Sequence, residues 1–265
     1  MSDFEVVKTR GGAAAMLDKK TGEVMHPLTG PLEEPAALYV GPSRLEARLG
    51  SGSDALVLLD VGLGAGSNAI AAWAASEGRS TAVRPLHLVS FDRTLEPLTI
   101  AMAPAHREAF GLAGDHGEAC AALLRGGRAE GKHTVWRVVV GDVPGTLLAE
   151  SGRADVVFWD PFSPRATPAL WSVAAFTALR RACRDGATVH TYSGATSTRT
   201  SMLLAGFAVG FGRVLSPGRR STIAATRRED LDEPLDARWF DRLARSTAAF
   251  ADDAPPDALA RVRAG

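Results

Sequence analysis

A chain of 265 residues that is 46% hydrophobic, 23% charged and formally neutral has the composition of an ordinary globular protein, long enough to bury a sizeable core. No apolar run approaches the roughly 20 residues of a membrane helix, and the charge balance gives no support for strong nonspecific nucleic-acid binding. Two cysteines, Cys120 and Cys183, far apart in helix-like contexts, read as core thiols and argue against a disulfide or a metal site.

The first residues, Met1-Ser2-Asp3-Phe4-Glu5, lack a signal-peptide pattern, so a cytoplasmic protein is expected. Residues 4–30 read as short β-like or irregular segments, with a turn at 19–23 and a proline- and glycine-rich loop around His26. From 34 to 49 the apolar spacing fits a helix interrupted at Gly41-Pro42, and Ser43 with Glu46 three residues on reads as a capping box. The first core strand covers about 55–61. Its continuous apolar run suits a strand buried on both faces, as in a parallel sheet. A turn with glycines at 62, 64 and 66 leads from it into an alanine-rich helix over about 67–77.

Further strands are predicted at 86–91, 134–140, 154–159 and 186–192, and helices at 168–184 and 198–205. Residues 94–129 read as helix or loop. A hairpin turning at Pro217-Gly218 joins strands at 207–214 and 221–226, and the remainder reads as helical and polar. Strands alternating with helices predict an α/β fold, a Rossmann-like doubly wound sheet, mostly parallel with a C-terminal antiparallel hairpin strand. The expected division is an N-terminal extension or cap over 1–50, a cofactor-binding domain over 51–228, and a helical tail over 229–265.

Ligands of such sheets sit beyond the carboxyl ends of the strands, where Asp60, Asp92, Asp142 and Asp160 fall. The spacing of Gly62, Gly64 and Gly66 puts Ser67 where a dinucleotide fingerprint wants glycine, so S-adenosylmethionine (SAM) fits better than NAD. Asn68 opens the helix whose N-terminal N–H groups favour negative charge. A carboxylate at Asp92 has two oxygens for a pair of ribose hydroxyls. Asp142 suits an adenine amino group or an ordinary turn, and Asp60 suits orienting the turn or meeting the cofactor ammonium through water. In Asp160-Pro161-Phe162-Ser163-Pro164 two prolines stiffen the backbone. The carboxylate and the carbonyls can accept from an amine, and Phe162 can face a sulfonium. His87 and His190, within apolar strands, read as core histidines, and Trp171 as core. Arg213, Arg219, Arg220, Arg227 and Arg228 suit an RNA phosphate path or a solvated face paired with Glu229, Asp230 and Asp232.

The resemblance rests on a set of motifs: His26 and Gly30-Pro31-Leu32-Glu33-Glu34; the segment 60–68; Ser90-Phe91-Asp92; Gly141-Asp142-Val143; and the segment 155–164. Trp171, Thr191-Tyr192-Ser193-Gly194-Ala195, Ala205-Gly206-Phe207 and Gly218-Arg219-Arg220 complete it. With these, over about residues 20–226, the chain resembles the methyltransferase domain of the bifunctional tRNA modification enzyme MnmC and its stand-alone relatives. Only a short tail follows the sheet, so the form without the fused oxidase is expected. It departs from the family at Pro161, Ser163 and Thr167-Pro168, and at Leu63 and Ala65 in the turn.

The resemblance implies a class I SAM-dependent methyltransferase that methylates an amine, in the family the aminomethyl group of a modified tRNA wobble uridine. It implies that Asp60, Gly62, Gly64, Gly66, Asn68, Asp92, Asp142, Val143 and Glu34 bind SAM. Asp160 and Phe162 would carry the chemistry, with His26, Pro161, Pro164, Arg219 and Arg220 on the substrate and no metal. A small-molecule amine as acceptor, a spermidine-synthase-like aminopropyl transfer, and a noncatalytic SAM- or RNA-binding module are the alternatives. The oligomeric state stays open.

Overall fold

In the computed structural model, which describes residues 2–9, 11–25, 33–80 and 84–264, the chain divides into two compact units, residues 1–143 and 144–265. The first unit opens with an antiparallel meander of β1 (Phe4–Lys8), β2 (Ala14–Asp18) and β3 (Glu23–Val24). Asp18 sets its second turn, accepting from the Lys20 N–H at 2.8 Å and the Thr21 hydroxyl at 2.9 Å. After α1 (Glu33–Pro35) and a π turn over Ala36–Val40 comes α2 (Leu45–Leu49). The expected capping box does not form. The Ser43 hydroxyl donates instead to the Val40 carbonyl at 3.0 Å, left over where the π turn ends, and Arg44 enters the helix at φ 53°.

The apolar run becomes β4 (Leu56–Val61), and α3 (Ser67–Glu77) follows the glycine turn. Next come β5 (Leu86–Asp92), α4 (Glu96–Ala101), α5 (Gly114–Gly126), β6 (Arg128–Glu130) and β7 (Thr134–Val140). The strand order is β4-β5-β7-β6, with the first three parallel and β6 antiparallel to β7. Leu56, Leu58, Leu59, Leu86, Leu88, Phe91 and Trp136 are fully buried. Each such side chain contributes about 1.5–3 kcal/mol to the core. β6 is an antiparallel edge strand inside the stretch read as helix or loop. Ala129 is its single apolar residue, too little to show alternation. His87 corrects the expectation of a core histidine: every second residue of a strand changes face, and this one is exposed.

The chain continues through α6 (Val143–Thr146). In the second unit β8 (Ala154–Trp159), α7 (Val173–Ala182), β9 (Cys183–Thr191), α8 (Thr196–Leu204), β10 (Ala208–Ser216) and β11 (Arg219–Ala225) give the order β10-β11-β9-β8. β8 and β9 are parallel, and β11 is antiparallel to both β9 and β10. All six residues of β8 are buried, including Asp155, whose carboxylate lies 3.3 Å from the Arg184 guanidinium. His190 is buried as expected, its Nε2 3.1 Å from the Thr188 hydroxyl. The fold is mixed α/β with a mostly parallel central sheet, as the sequence predicts. Both cysteines are buried, and burial pushes each thiol up to about 12, which keeps them unreactive. No helix among the described residues is long and apolar enough to cross a membrane.

Beyond the sheet lie α9 (Ala237–Leu243) and α10 (Ala258–Ala264), with irregular chain between them where the sequence reads as helical. That irregular chain is tied down by polar contacts. Thr200 donates to the Ala249 carbonyl at 2.6 Å, and the Asp253 carboxylate accepts from the Val173 and Ala174 N–H groups at 3.0 and 2.9 Å. Asp253 thus caps α7 beside Ser172, which accepts from the Ala175 N–H at 3.0 Å. Losing an N-terminal cap costs about 1 kcal/mol. Asp253→Ala is therefore expected to lower Tm by roughly 2–4 °C in thermal unfolding; an unchanged Tm would show that this contact does not hold the tail.

Candidate active site

The glycine turn in the first unit is shaped by backbone that other residues resist. Gly62, Gly64 and Gly66 have φ of 93°, 53° and 91°. At Gly64 a Cβ would also lie 2.9 Å from the Met25 sulfur, so the meander's last side chain rests on the turn. The turn is bound to the end of β5. The Gly62 and Leu63 N–H groups donate to the Phe91 carbonyl at 3.0 and 3.2 Å, and the Gly64 N–H donates to Asp92 Oδ2 at 2.9 Å. Asp92 Oδ1 accepts from the Arg93 N–H at 2.7 Å. Burial pushes the Asp92 carboxyl above its ordinary value, the largest effect on it, while the N–H groups of Gly64, Thr94 and Arg93 pull it back.

Register places the next acidic residue beside it. Asp92 pairs with Val140, and the Gly141 N–H donates to the Asp92 carbonyl at 2.9 Å, so Asp142 and the buried Val143 follow directly. Asp60 is different. It is fully buried and accepts at 2.8 Å from the Ser90 hydroxyl, which accepts at 2.9 Å from Trp136 Nε1. This chain ties β4, β5 and β7 together beneath the turn. Asn68 is buried in the first turn of α3, and Glu34 is half-buried in α1. His26 lies outside the described residues.

These residues fit SAM. Ser67 Oγ is buried at the N-terminus of α3 with no hydrogen-bond partner among the described residues. A buried hydroxyl without a partner is costly, and a polar ligand in the turn would supply one. From the sequence, Ser67 counts against a dinucleotide fingerprint and belongs to the 60–68 motif, without a contact assigned to it. Among the described residues no group of three or more His, Cys, Asp or Glu is placed to hold a metal.

In the second unit the half-buried Asp160 follows β8, with Pro161 buried and Phe162 and Pro164 half-buried. The loop's carbonyls are already engaged. Pro161 O accepts from the Tyr192 hydroxyl at 3.1 Å, and Phe162 O from Trp171 Nε1 at 2.8 Å and the Thr167 hydroxyl at 2.7 Å. Ser163 O accepts from the N–H groups of Ala166 and Thr167, both at 2.9 Å. A carbonyl oxygen has two lone pairs, so the Phe162 and Ser163 carbonyls, with two donors each, have little left for a substrate amine, while Pro161 O keeps one. Trp171 is buried, as expected, and also donates to the loop.

The arginines divide. Arg219 is exposed at the hairpin tip. Arg220 is bound to both Glu233 oxygens at 2.6 Å and donates to Gly212 O, and the Glu233 carboxylate raises its pKa further. Arg227 meets Asp230 at 2.8 Å. Arg199, which sequence reading passed over, is buried in α8 and donates to Thr222 Oγ1 at 3.0 Å and to the carbonyls of Arg220 and Ser221. Its guanidinium and that of Arg220 each lie 4.9 Å from the Phe211 ring centre. Burial lowers the Arg199 pKa to about 10.

Comparison with known proteins adds the family. Residues 123–228 match the model of a family described as S-adenosyl-L-methionine-dependent methyltransferase. The tRNA 5-methylaminomethyl-2-thiouridine biosynthesis bifunctional protein MnmC of Burkholderia vietnamiensis is 29% identical over 203 residues, 73% of this chain and 31% of that protein. Its namesake in Ectopseudomonas mendocina is 29% identical over 240 residues, 85% of this chain and 35% of that protein. The chain thus spans about a third of the length of these relatives. The crystal structure of MnmC2 from Aquifex aeolicus superposes with a TM-score of 0.73 at 25% identity, covering 100% of this chain and 87% of that one.

Proposed function

From the premise that the chain is a SAM-dependent methyltransferase related to MnmC, we propose that it methylates an amine, and that the acceptor is the aminomethyl group of a modified wobble uridine in tRNA. The observation that carries the cofactor half is the Gly64 N–H on the Asp92 carboxylate, which fixes a left-handed glycine turn against an acidic strand end. The relatives' printed function in tRNA 5-methylaminomethyl-2-thiouridine biosynthesis supports the acceptor half.

In this reading Asp92 holds the two ribose hydroxyls, and Asp142 and Val143 receive the adenine. Gly62, Gly64, Gly66, Ser67 and Asn68 line the turn, with Glu34 beside them, and Asp60 orients the turn from below. Bound SAM supplies a methyl carbon made electrophilic by a sulfonium. The Asp160 carboxylate accepts hydrogen bonds from the acceptor amine and aims its lone pair, so its contribution is mainly orientation. An ammonium has no lone pair, so the amine loses a proton to solvent beforehand, and the carboxylate then holds the neutral amine. Phe162, Pro161 and Pro164 wall that site. Of the basic pair Arg219 is the residue for RNA phosphate, and Arg220 holds the hairpin through Glu233. His26 belongs to the substrate side. Residues 51–228 form the catalytic domain in this proposal, with 1–50 as cap and 229–265 as tail, in a cytoplasmic protein.

A small-molecule amine is the second reading. The pairing of Arg220 and Arg227 with carboxylates favours it, because it removes two cations from an RNA path. Methyl-labelled SAM offered with bulk tRNA lacking the terminal methyl group, and separately with a small-molecule extract, decides between them. Label in tRNA is expected; label in the extract alone sinks the tRNA reading.

A further inference from the structure

The 160–164 loop is held from outside by three side chains, and the pattern of their contacts is selective. Each donates a hydrogen bond to a backbone carbonyl, and the two carbonyls are consecutive. Tyr192 takes Pro161 O; Trp171 and Thr167 together fill both lone pairs of Phe162 O. Ser163 O is filled by backbone N–H groups. Pro161 and Pro164 have no N–H to offer. A carboxylate, by contrast, offers about four lone-pair sites, so Asp160 can receive an amine beside any partner it already has.

We propose that Tyr192, Trp171 and Thr167 are positioning residues for methyl transfer: by holding the Pro161 and Phe162 carbonyls they fix the loop and thereby the place from which its carboxylate addresses the amine. This rests on the reading of Asp160 above.

The anchors are themselves fixed. Tyr192 directly follows β9, and its ring meets the edge of the Trp171 ring at 5.8 Å, which in turn meets Phe176 at 6.4 Å. The next residue, Ser193, is held through its carbonyl by the Thr222 hydroxyl at 2.6 Å, and Thr222 by the buried Arg199 at 3.0 Å. Ser193 Oγ lies 2.9 Å from Thr198 Oγ1. The clamp therefore reaches from the loop to β9, α8 and β11 within one unit. Aromatic packing alone would keep Tyr192 and Trp171 in place but would not aim their donors at adjacent carbonyls.

Arg165 provides a readout that needs no substrate, because it is exposed inside the clamped segment. Limited trypsin digestion of the full chain, with fragments quantified by mass spectrometry, reports cutting after Arg165 relative to other arginines. Tyr192→Phe, and Trp171→Phe combined with Thr167→Val, are expected to raise that relative cutting at least about fivefold. Thr167→Ser, which restores the hydroxyl, is expected to match the wild type. In methyl transfer to tRNA, Tyr192→Phe is expected to lower kcat about tenfold while the Kd for SAM by calorimetry stays within about twofold.

Unchanged cutting at Arg165 in folded Tyr192→Phe protein overturns the clamp. Faster cutting with unchanged kcat overturns the positioning role while leaving the methyltransferase reading intact. A wild type that labels no amine overturns that reading and the positioning role together. Should the double variant fail to fold, Tyr192→Phe alone decides, since it removes one hydroxyl and keeps the ring.

Discussion

Asp160→Ala is expected to lower kcat for methyl transfer by about 100-fold or more, while the Kd for SAM stays within about twofold. The size follows from what the carboxylate is asked to do. A side chain that orients a reacting group matters through geometry, and a misplacement of about 1 Å costs about 10²-fold in rate. In the proposed site the cofactor contacts lie on other residues, at the turn that Phe91 O and Asp92 fix. Asp160→Asn sharpens the test. It keeps the shape and one acceptor oxygen but removes the charge and adds an N–H pair that faces the amine as a second donor. It should fall between wild type and alanine. Single-turnover rates at saturating SAM, with calorimetry for binding, separate the two quantities. Equal loss of rate and of SAM affinity in both variants would move Asp160 from the acceptor side to the cofactor side.

How much of this was legible beforehand depended on how local each signal is. The β4 strand and α3 were readable because a continuous apolar run, three glycines and an alanine-rich helix are all contiguous. The position of Asp92 at the end of β5 was readable because the apolar run stops there, while its bond to the Gly64 N–H, 28 residues away, was not. The clamp was not readable. Tyr192 and Pro161 are 31 residues apart, and Trp171 and Phe162 are 9 apart, so no spacing rule links donor to carbonyl. Arg220 looked like half of a basic pair, and only the return of Glu233 against it shows that its charge is already satisfied. Asp60 looked like one more acidic strand end, yet Ser90 and Trp136 draw it into the core. His87 failed for a simpler reason: hydropathy marks the strand, while the pleat decides which face each residue takes.

Asp92→Asn is the sharpest test of the cofactor site. A hydrogen bond to a charged acceptor contributes about 1.5–3 kcal/mol. Asparagine can still accept from the Gly64 N–H, but it offers a single carbonyl oxygen where the ribose needs a second acceptor. The Kd for SAM is therefore expected to rise about 10- to 100-fold, at about 1.4 kcal/mol per factor of ten. At saturating SAM, kcat should fall no more than about threefold, the reverse of the Asp160 pattern. The pH dependence carries the sign. Burial raises the Asp92 pKa, and it is the ionised carboxylate that accepts from two hydroxyls. As pH falls through that raised value the wild type should lose SAM affinity, beginning above the ordinary carboxylate range, and Asp92→Asn should lack this step. Stability moves the other way. A carboxyl whose folded pKa is raised favours folding while it is protonated, and that contribution is lost as pH rises through the window between its unfolded and folded values. Acidification should thus weaken SAM binding at this residue while easing the cost of burying it. A SAM affinity equally flat with pH in both proteins would place the ribose elsewhere.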